Sequence, residues 1–169
     1  MKRIVITGPE STGKSWITEK LAQHYQVPWV REFARSYLDD LNRAYQFEDL
    51  LNIAKGQKAW EQRVGKESPC YFCDTDLLVI KIWSQYKYQK VDPWIVEQLQ
   101  QTPCDLYLLM TADLPWQPDP QREHPHQREA LFELYEKELK KLGHNYVKIY
   151  GTGDQRLANA IEHIGDLCK

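Results

Sequence analysis

The chain has no apolar run approaching the roughly 20 residues that a membrane span needs, which excludes a transmembrane helix from the reading of its 169 residues. It also has no excess of either charge. Its 22 basic and 24 acidic side chains leave a formal net charge of −2, whereas a sequence-independent nucleic-acid binder carries a clear basic surplus. Neither nucleic acid nor membrane is therefore expected as a partner. Internal repeats and low-complexity linkers are missing too, and the length suits one domain, residues 1–169. The opening MKRIVITG is apolar only briefly and runs straight into a glycine-bearing loop, so no signal peptide is read there and the cytoplasm is the expected compartment. Cysteines are scarce, four in all, and are not read as a disulfide framework. Cys70 and Cys73 form a C-x-x-C, but the segment Cys70-Tyr71-Phe72-Cys73 has the look of a buried strand, whose positions three apart face opposite ways. With no second pair to complete a zinc site, the two are read as small buried hydrophobes.

What is present is an alternation. Five β-like runs, Arg3–Thr7, Val27–Val30, Cys70–Cys73, Asp105–Met110 and Tyr146–Tyr150, are separated by stretches of helical period. Those stretches are Ser15–Tyr25, a long region Phe33–Lys66, Leu77–Tyr86, Trp94–Gln100, His126–Leu142 and Gln155–Leu167. Strands alternating with helices imply crossover units and a parallel sheet covered on both faces, a doubly wound α/β fold. One segment stands apart: Leu114–Pro125 holds Pro115, Pro118, Pro120 and Pro125, cannot continue a helix, and is read as a stiff exposed flap over about 114–128.

The strongest motif is GPESTGKS, residues 8–15. It meets G-x-x-x-x-G-K-[ST], follows the apolar run Ile4-Val5-Ile6 and opens a helix at Trp16, as a phosphate-binding loop requires. In such a loop, spanning Gly8, Pro9, Glu10, Ser11, Thr12 and Gly13, the glycines let the backbone turn so that successive N–H groups point at phosphate oxygens. Lys14 brings a cation to the β- and γ-phosphates, and Ser15 offers its hydroxyl to Mg²⁺. ATP with Mg²⁺ is the expected donor.

Ligands of open α/β sheets sit beyond the carboxyl ends of the strands. There the sequence places Arg31, Glu32 and Arg35 after the second run, and Asp74, Thr75 and Asp76 after the third. Thr111 and Asp113 follow the fourth run, and Gly151-Thr152-Gly153 the fifth. Asp74 fits the acid that orders Mg²⁺ through water, and Asp76 is close enough to share that role or to bind a substrate hydroxyl. Glu32 fits a carboxylate that accepts a proton from an attacking hydroxyl. The flap adds Asp119, Arg122 and Arg128; its arginines suit a transferring phosphoryl group, while the H-x-H of His124 and His126 is read as ordinary loop. Trp60, Trp83, Tyr86 and Trp116 are candidates for a face that stacks on a flat ring, whereas Trp16 and Trp29 are read as packing. No N-K-x-D stretch of a guanine-specific switch occurs. One phosphate loop, a carboxylate after the second strand and an arginine flap together describe a small-molecule kinase; the rival from another class is a non-catalytic nucleotide sensor.

Several stretches taken together resemble one family. They are GPESTGKS, WVREFARSYLDD at 29–40, the pair Gly56-Gln57, DTDLLVIKIWSQY at 74–86, DLYLLMTADLPWQPDPQR at 105–122, and GTGDQR at 151–156. The family is the ribosylnicotinamide kinase domain of bacterial NadR proteins, and the resemblance runs over nearly the whole chain. It implies strand order 2-3-1-4-5 and ATP-dependent phosphorylation of the ribose 5′-hydroxyl of nicotinamide riboside. It implies that Lys14, Glu32, Asp74, Arg122 and Arg128 are catalytic, with Ser15 and Asp74 at the metal. Gly151 and Arg156 would lie near adenine. Arg35, Asp76 and an aromatic such as Trp83 or Trp116 would lie near the acceptor. The flap departs from the family pattern in reading Asp119-Pro120-Gln121-Arg122, with no glycine after the Asp. The adenylyltransferase and helix-turn-helix parts of longer relatives are not in these 169 residues, so neither NAD formation nor operator binding is expected of them.

Overall fold

The computed structural model describes residues 1–64 and 67–168. Five strands, β1 (Lys2–Thr7), β2 (Trp29–Val30), β3 (Cys70–Asp74), β4 (Leu106–Met110) and β5 (Tyr146–Ile149), form one sheet in the order β2-β3-β1-β4-β5. Every pairing is parallel, with Ile4 opposite Phe72 on one side and Leu106 on the other. The doubly wound architecture and the strand order read from the sequence are both observed.

Alternate residues of the central strands serve the two faces, as the period of two demands. Val5, Tyr71, Cys73, Tyr107 and Leu109 point to the layer that also holds Leu50, Ile53, Leu78, Ile95 and Leu139. Ile4, Ile6, Cys70, Phe72, Leu108 and Met110 point to the layer of Ile17, Leu21, Ala160 and Ile164. Helices α1 (Lys14–Tyr25) and, at the far end of the chain, Gly153–Ile164 therefore cover one face. The remaining helices, α2 (Phe33–Asp40), α3 (Phe47–Glu61), α4 (Leu77–Tyr88), α5 (Pro93–Gln101) and α6 (Arg128–Leu142), lie on the side of the other layer; the C-terminal helix is α7.

Three features differ from the sequence reading. The long helical region splits into α2 and α3, and its expected end at Lys66 lies outside the described residues. The split has a local cause: the Asp49 carboxylate accepts from Gln46 N (2.7 Å), from Arg43 (2.7 and 2.9 Å) and from the Tyr37 hydroxyl (2.8 Å), which caps a new helix and anchors the loop before it. The second run shrinks to Trp29–Val30, because Val27 N still donates to Ala22 O (3.1 Å) at the end of α1. Third, Cys70 is not a free buried thiol. It forms a disulfide with Cys168, 98 positions away, with Cα atoms 5.2 Å apart. No spacing rule relates these two, since only the docking of α7 beneath the start of β3 brings them together. Cys73, on the other face, is the buried free thiol expected.

No described helix is long and apolar enough to cross a membrane.

Candidate active site

The carboxyl ends of β1, β2 and β3 open onto a cavity of about 630 Å³, lined by the phosphate loop, α2, α4, α6 and the 114–124 segment. The loop begins with a steric demand. Gly8 has φ +134°, and a Cβ there would lie 2.8 Å from the carbonyl oxygen of Met110 on β4, so only glycine lets β1 turn this close to its neighbour. The loop closes on itself through Thr12 Oγ1 donating to Pro9 O (2.9 Å) and delivers Gly13, at φ +77°, to the start of α1. No side chain caps α1. Its first N–H groups thus face the cavity uncapped, the arrangement that binds an anion at a helix N-terminus. Lys14 Nζ folds over the loop and donates to Gly8 O (3.0 Å) and Pro9 O (2.7 Å). Burial holds its pKa below the usual lysine value, against the pull of Glu32 and Asp74.

Two carboxylates share the floor. Asp74 ends β3, is 2% exposed, and accepts a hydrogen bond from the Ser15 side chain. Its Oδ1 has no hydrogen-bond partner among the described residues, a costly condition for a buried acceptor. Desolvation raises its pKa. Glu32, immediately before α2, is pushed up to about 7 by desolvation and by the neighbouring Asp74. Two neighbouring buried acids, one raised by the other and the other with an orphaned oxygen, form a place for a cation. Ser15 and Asp74 match the donors by which phosphate-loop proteins hold Mg²⁺, an ion that takes one or two carboxylates plus substrate phosphate and water. His124, of the H-x-H pair, lines the cavity and packs edge-on against Tyr86, ring centroids 5.0 Å apart.

Glu32 is held from behind by the Gly56-Gln57 pair. Gln57 Oε1 accepts from Phe33 N (2.8 Å), and the Phe33 ring sits on Gly56 so closely that a Cβ would lie 2.1 Å from it. Gly56→Ala should therefore displace Phe33 and the start of α2, lowering stability by about 1–3 kcal/mol in urea unfolding and depressing turnover with it. An unchanged midpoint would mean that α2 is not seated in this way.

The 114–127 segment crosses the cavity and is tied down at several points. Gln117 N donates to Ser11 Oγ (2.8 Å), and Arg35 Nη1 to Asp119 Oδ2 (2.7 Å). Gln121 Nε2 donates to Asp39 Oδ1 (2.7 Å), and the backbone N–H groups of Glu123 and His124 to the Glu10 carboxylate (3.1 Å each at Oε2).

A family model described as AAA domain matches residues 3–156. The chain belongs to this AAA domain family. It is 26% identical over 124 residues to the trifunctional NAD biosynthesis/regulator protein NadR of Salmonella typhimurium, and 26% identical over 126 residues to that of Escherichia coli; each match covers 70% of this chain. The chain spans 30% of the length of these curated relatives. A crystal structure of NadR protein in complex with NR superposes with a TM-score of 0.83 at 20% identity, over 99% of this chain and 50% of that one. Another, in complex with NAD and AMP-PNP, gives 0.82 at 21%, over 99% and 49%. Thymidylate kinase from Ehrlichia chaffeensis gives 0.63 at 15%, over 97% and 98%. These matches bear out the resemblance to NadR, and the fold is that of phosphate-loop kinases.

Measured against this AAA domain frame, the residues named from sequence fall into two groups. Lys14, Ser15, Glu32, Arg35, Trp83 and Arg122 line the cavity, and Asp74 lies just beneath it. Asp76 does not reach it. Thr75, at φ +67°, turns the chain so that Asp76 points into the protein, where it caps Leu78 N (3.0 Å) and accepts from Arg3 (3.1 Å) and the Tyr107 hydroxyl (2.7 Å). Arg3 binds Glu61 as well (3.0 and 3.2 Å), completing a buried network that fixes the start of α4. Arg156 borders the cavity but is 1% exposed and spends its donors on Gly151 O (2.6 Å), Thr12 O (2.5 Å) and Asp113. It braces the phosphate loop from behind. Gly151, whose N–H donates to Asp113 (2.8 Å), is outside the cavity lining, and its neighbours Thr152 and Gly153 form the wall. Arg128 donates to Ser11 O (3.2 Å) and Leu114 O (2.8 Å), pinning the root of the flap, and Trp116 lies beneath its guanidinium, 5.8 Å from ring centroid to Cζ, away from the cavity lining. Trp16 reverses its reading: it is 39% exposed and lines the cavity beside the β5–α7 turn rather than packing in the core. Tyr135, a further wall residue, carried no sequence signal, being one more aromatic in a helix of ordinary period.

Proposed function

We propose that the protein is an ATP-dependent phosphotransferase that phosphorylates the ribose 5′-hydroxyl of nicotinamide riboside to give nicotinamide mononucleotide. The observation that carries this reading is the division of one cavity into two ends. The phosphate loop forms the donor end, and Val79, Ile82, Trp83, Tyr86 and Tyr135 form an apolar, aromatic end, with Glu32 between them. A flat ring stacks in such an aromatic end, and a cationic ring gains from the π faces. Arg35, a basic side chain of the cavity lining, is already bound to Asp119 (2.7 Å) and to Glu32 (3.6 Å), which favours an uncharged hydroxyl over a phosphate as the acceptor group. The NadR complexes with NR and with NAD and AMP-PNP support the same pair of ligands.

In this mechanism the acceptor 5′-oxygen attacks the γ-phosphorus in line. The new O–P bond forms as the bond to the ADP oxygen breaks, and the hydroxyl proton passes to Glu32. Lys14 and the flap arginine Arg122 stabilise the charge on the transferring group, while Arg128 holds the flap root and the flap excludes water. Ser15 and Asp74 would hold Mg²⁺, which when bound neutralises phosphate charge.

A coupled ADP-release assay with nicotinamide riboside, thymidine, uridine and adenosine tests the reading. Release should depend on the acceptor and be at least tenfold faster with nicotinamide riboside. A faster nucleoside would reassign the acceptor, and ATP binding without any acceptor-dependent release would make the protein a sensor.

A further inference from the structure

Neither Tyr45 nor Glu123 belongs to the machinery described so far, yet the two sit where its parts meet. Tyr45 lies in the loop 41–46 between α2 and α3, a loop held by the Arg43–Asp49 pair and by the Tyr88 hydroxyl donating to Tyr45 O (3.3 Å). The Tyr45 hydroxyl carries three contacts from three different directions. It accepts from Nε1 of Trp83 on the acceptor wall (2.7 Å) and from Lys87 Nζ (2.5 Å), and it donates to Glu123 Oε2 in the flap (2.7 Å). Its ring also packs edge-on against the Trp83 indole, centroids 4.7 Å apart. Lys87 closes the triangle on Glu123 Oε1 (2.9 Å). The backbone N–H of the same Glu123 donates to the Glu10 carboxylate of the phosphate loop (3.1 Å).

A phenol has one proton, and this geometry spends it on Glu123, with both other partners acting as donors. Burial and the Glu123 carboxylate push the Tyr45 pKa up, so the hydroxyl keeps that proton throughout the working pH range. Other ties on the flap run to α2 and to the phosphate loop, and Tyr86 of the acceptor wall donates to Gln127 Oε1 (2.5 Å) and packs edge-on against His124. The tie through Tyr45 adds Trp83 to this link between flap and acceptor wall. With its Nε1–H so engaged, Trp83 is fixed in orientation and has only its ring to offer a ligand.

We propose that Tyr45 is a positioning residue that couples the acceptor site to the flap, holding the Trp83 ring in its stacking orientation and locking Glu123, and through it the flap, over the donor phosphates when the acceptor end is ordered. The proposal rests on the kinase reading above and adds to it the route by which one end of the cavity informs the other. Acceptor binding that orders Trp83 stabilises the closed flap, and closure of the flap in turn orders the acceptor wall.

The experiment compares the wild type with Tyr45→Phe, Glu123→Gln and the double variant, using three readouts. First, Tyr45→Phe should raise KM for nicotinamide riboside about tenfold while KM for ATP stays within about twofold. Second, the ratio of ATP hydrolysed to acceptor phosphorylated should rise severalfold, because a loosened flap admits water. Third, tryptic cleavage after Arg122 should quicken severalfold in Tyr45→Phe without a matching fall in the urea midpoint; this readout needs no acceptor and stands even if the acceptor is another nucleoside. The double variant should be no worse than the more impaired single one. Equal increases in both KM values, additive single effects, or cleavage at the wild-type rate would overturn the coupling. Failure of wild-type protein to use nicotinamide riboside, with fast cleavage of the Tyr45→Phe flap retained, would overturn the acceptor assignment and leave the coupling standing.

Discussion

Lys14→Ala should lower kcat by about 10³-fold or more while leaving the thermal transition within about 2 °C of wild type. The two halves of that expectation have separate causes. Lys14 places its ammonium where the loop, α1 and the two carboxylates converge. Its Nζ, however, donates to the carbonyls of Gly8 and Pro9 at 3.0 and 2.7 Å. Burial already disfavours its charge, so deleting it removes a desolvation cost along with two modest hydrogen bonds. The loop itself is shaped by Gly8 against Met110 and by Thr12 on Pro9, neither of which involves Lys14. Differential scanning fluorimetry alongside the ADP-release assay checks both halves. A folded Lys14→Ala protein with near-normal turnover would remove Lys14 from the mechanism.

Glu32→Gln has the second large effect, with opposite signs in activity and stability. As the proton acceptor Glu32 should be worth about 10²–10⁴ in kcat. A protonated Glu32 could not take this proton, so the wild-type rate at limiting acceptor should fall on the acid side of a pKa at or somewhat below about 7, because bound metal favours the charged form. Glu32→Gln should lose that limb. For stability the sign runs the other way. The folded pKa of about 7 lies above the ordinary value of 4.5, so between these two the folded state holds more protons and wild-type stability declines as pH rises. Glutamine escapes this decline. Glu32→Gln should therefore be more stable than wild type at pH 8, by about 1 kcal/mol or more, seen as a Tm higher by roughly 2–4 °C, and should lose this advantage near pH 4.5. Equal Tm differences at both pH values would show that Glu32 is not held in this desolvated, acid-paired position; retained activity in Glu32→Gln would move the base to Asp74.

The parts of this site legible in the sequence are those whose chemistry is local. GPESTGKS specifies its own backbone path, and the apolar runs specify a buried parallel sheet, so the acids after β2 and at the end of β3 are placed at one edge by the sequence alone. Asp74 and Asp76 show where that logic stops. Two positions apart, they suggested a shared role, but Thr75 in a left-handed turn sends one to the cavity floor and the other to Arg3 and Tyr107. A partner 73 positions away leaves no pattern near Asp76. The same holds for Arg156, which resembles a ligand-binding arginine in sequence yet is surrounded by the carbonyls of Thr12 and Gly151, and for Cys70, whose bond to Cys168 depends on where α7 docks. Trp16 went the opposite way: read as packing, it stands in the first turn of α1, which lines the cavity. Tyr45 was invisible because its three partners come from two helix-distant segments and meet only in the folded chain.

The central claim is that the protein moves a phosphoryl group from ATP to a primary hydroxyl of a nucleoside. It is tested most directly by proton-coupled ³¹P NMR of the product formed from ATP and nicotinamide riboside. Transfer to the 5′-hydroxyl places two protons on the carbon bearing the ester, so the account predicts a new phosphomonoester triplet that grows in step with ADP and is lost with Lys14→Ala. A doublet, from a secondary hydroxyl, or ADP accompanied by inorganic phosphate alone, would contradict it.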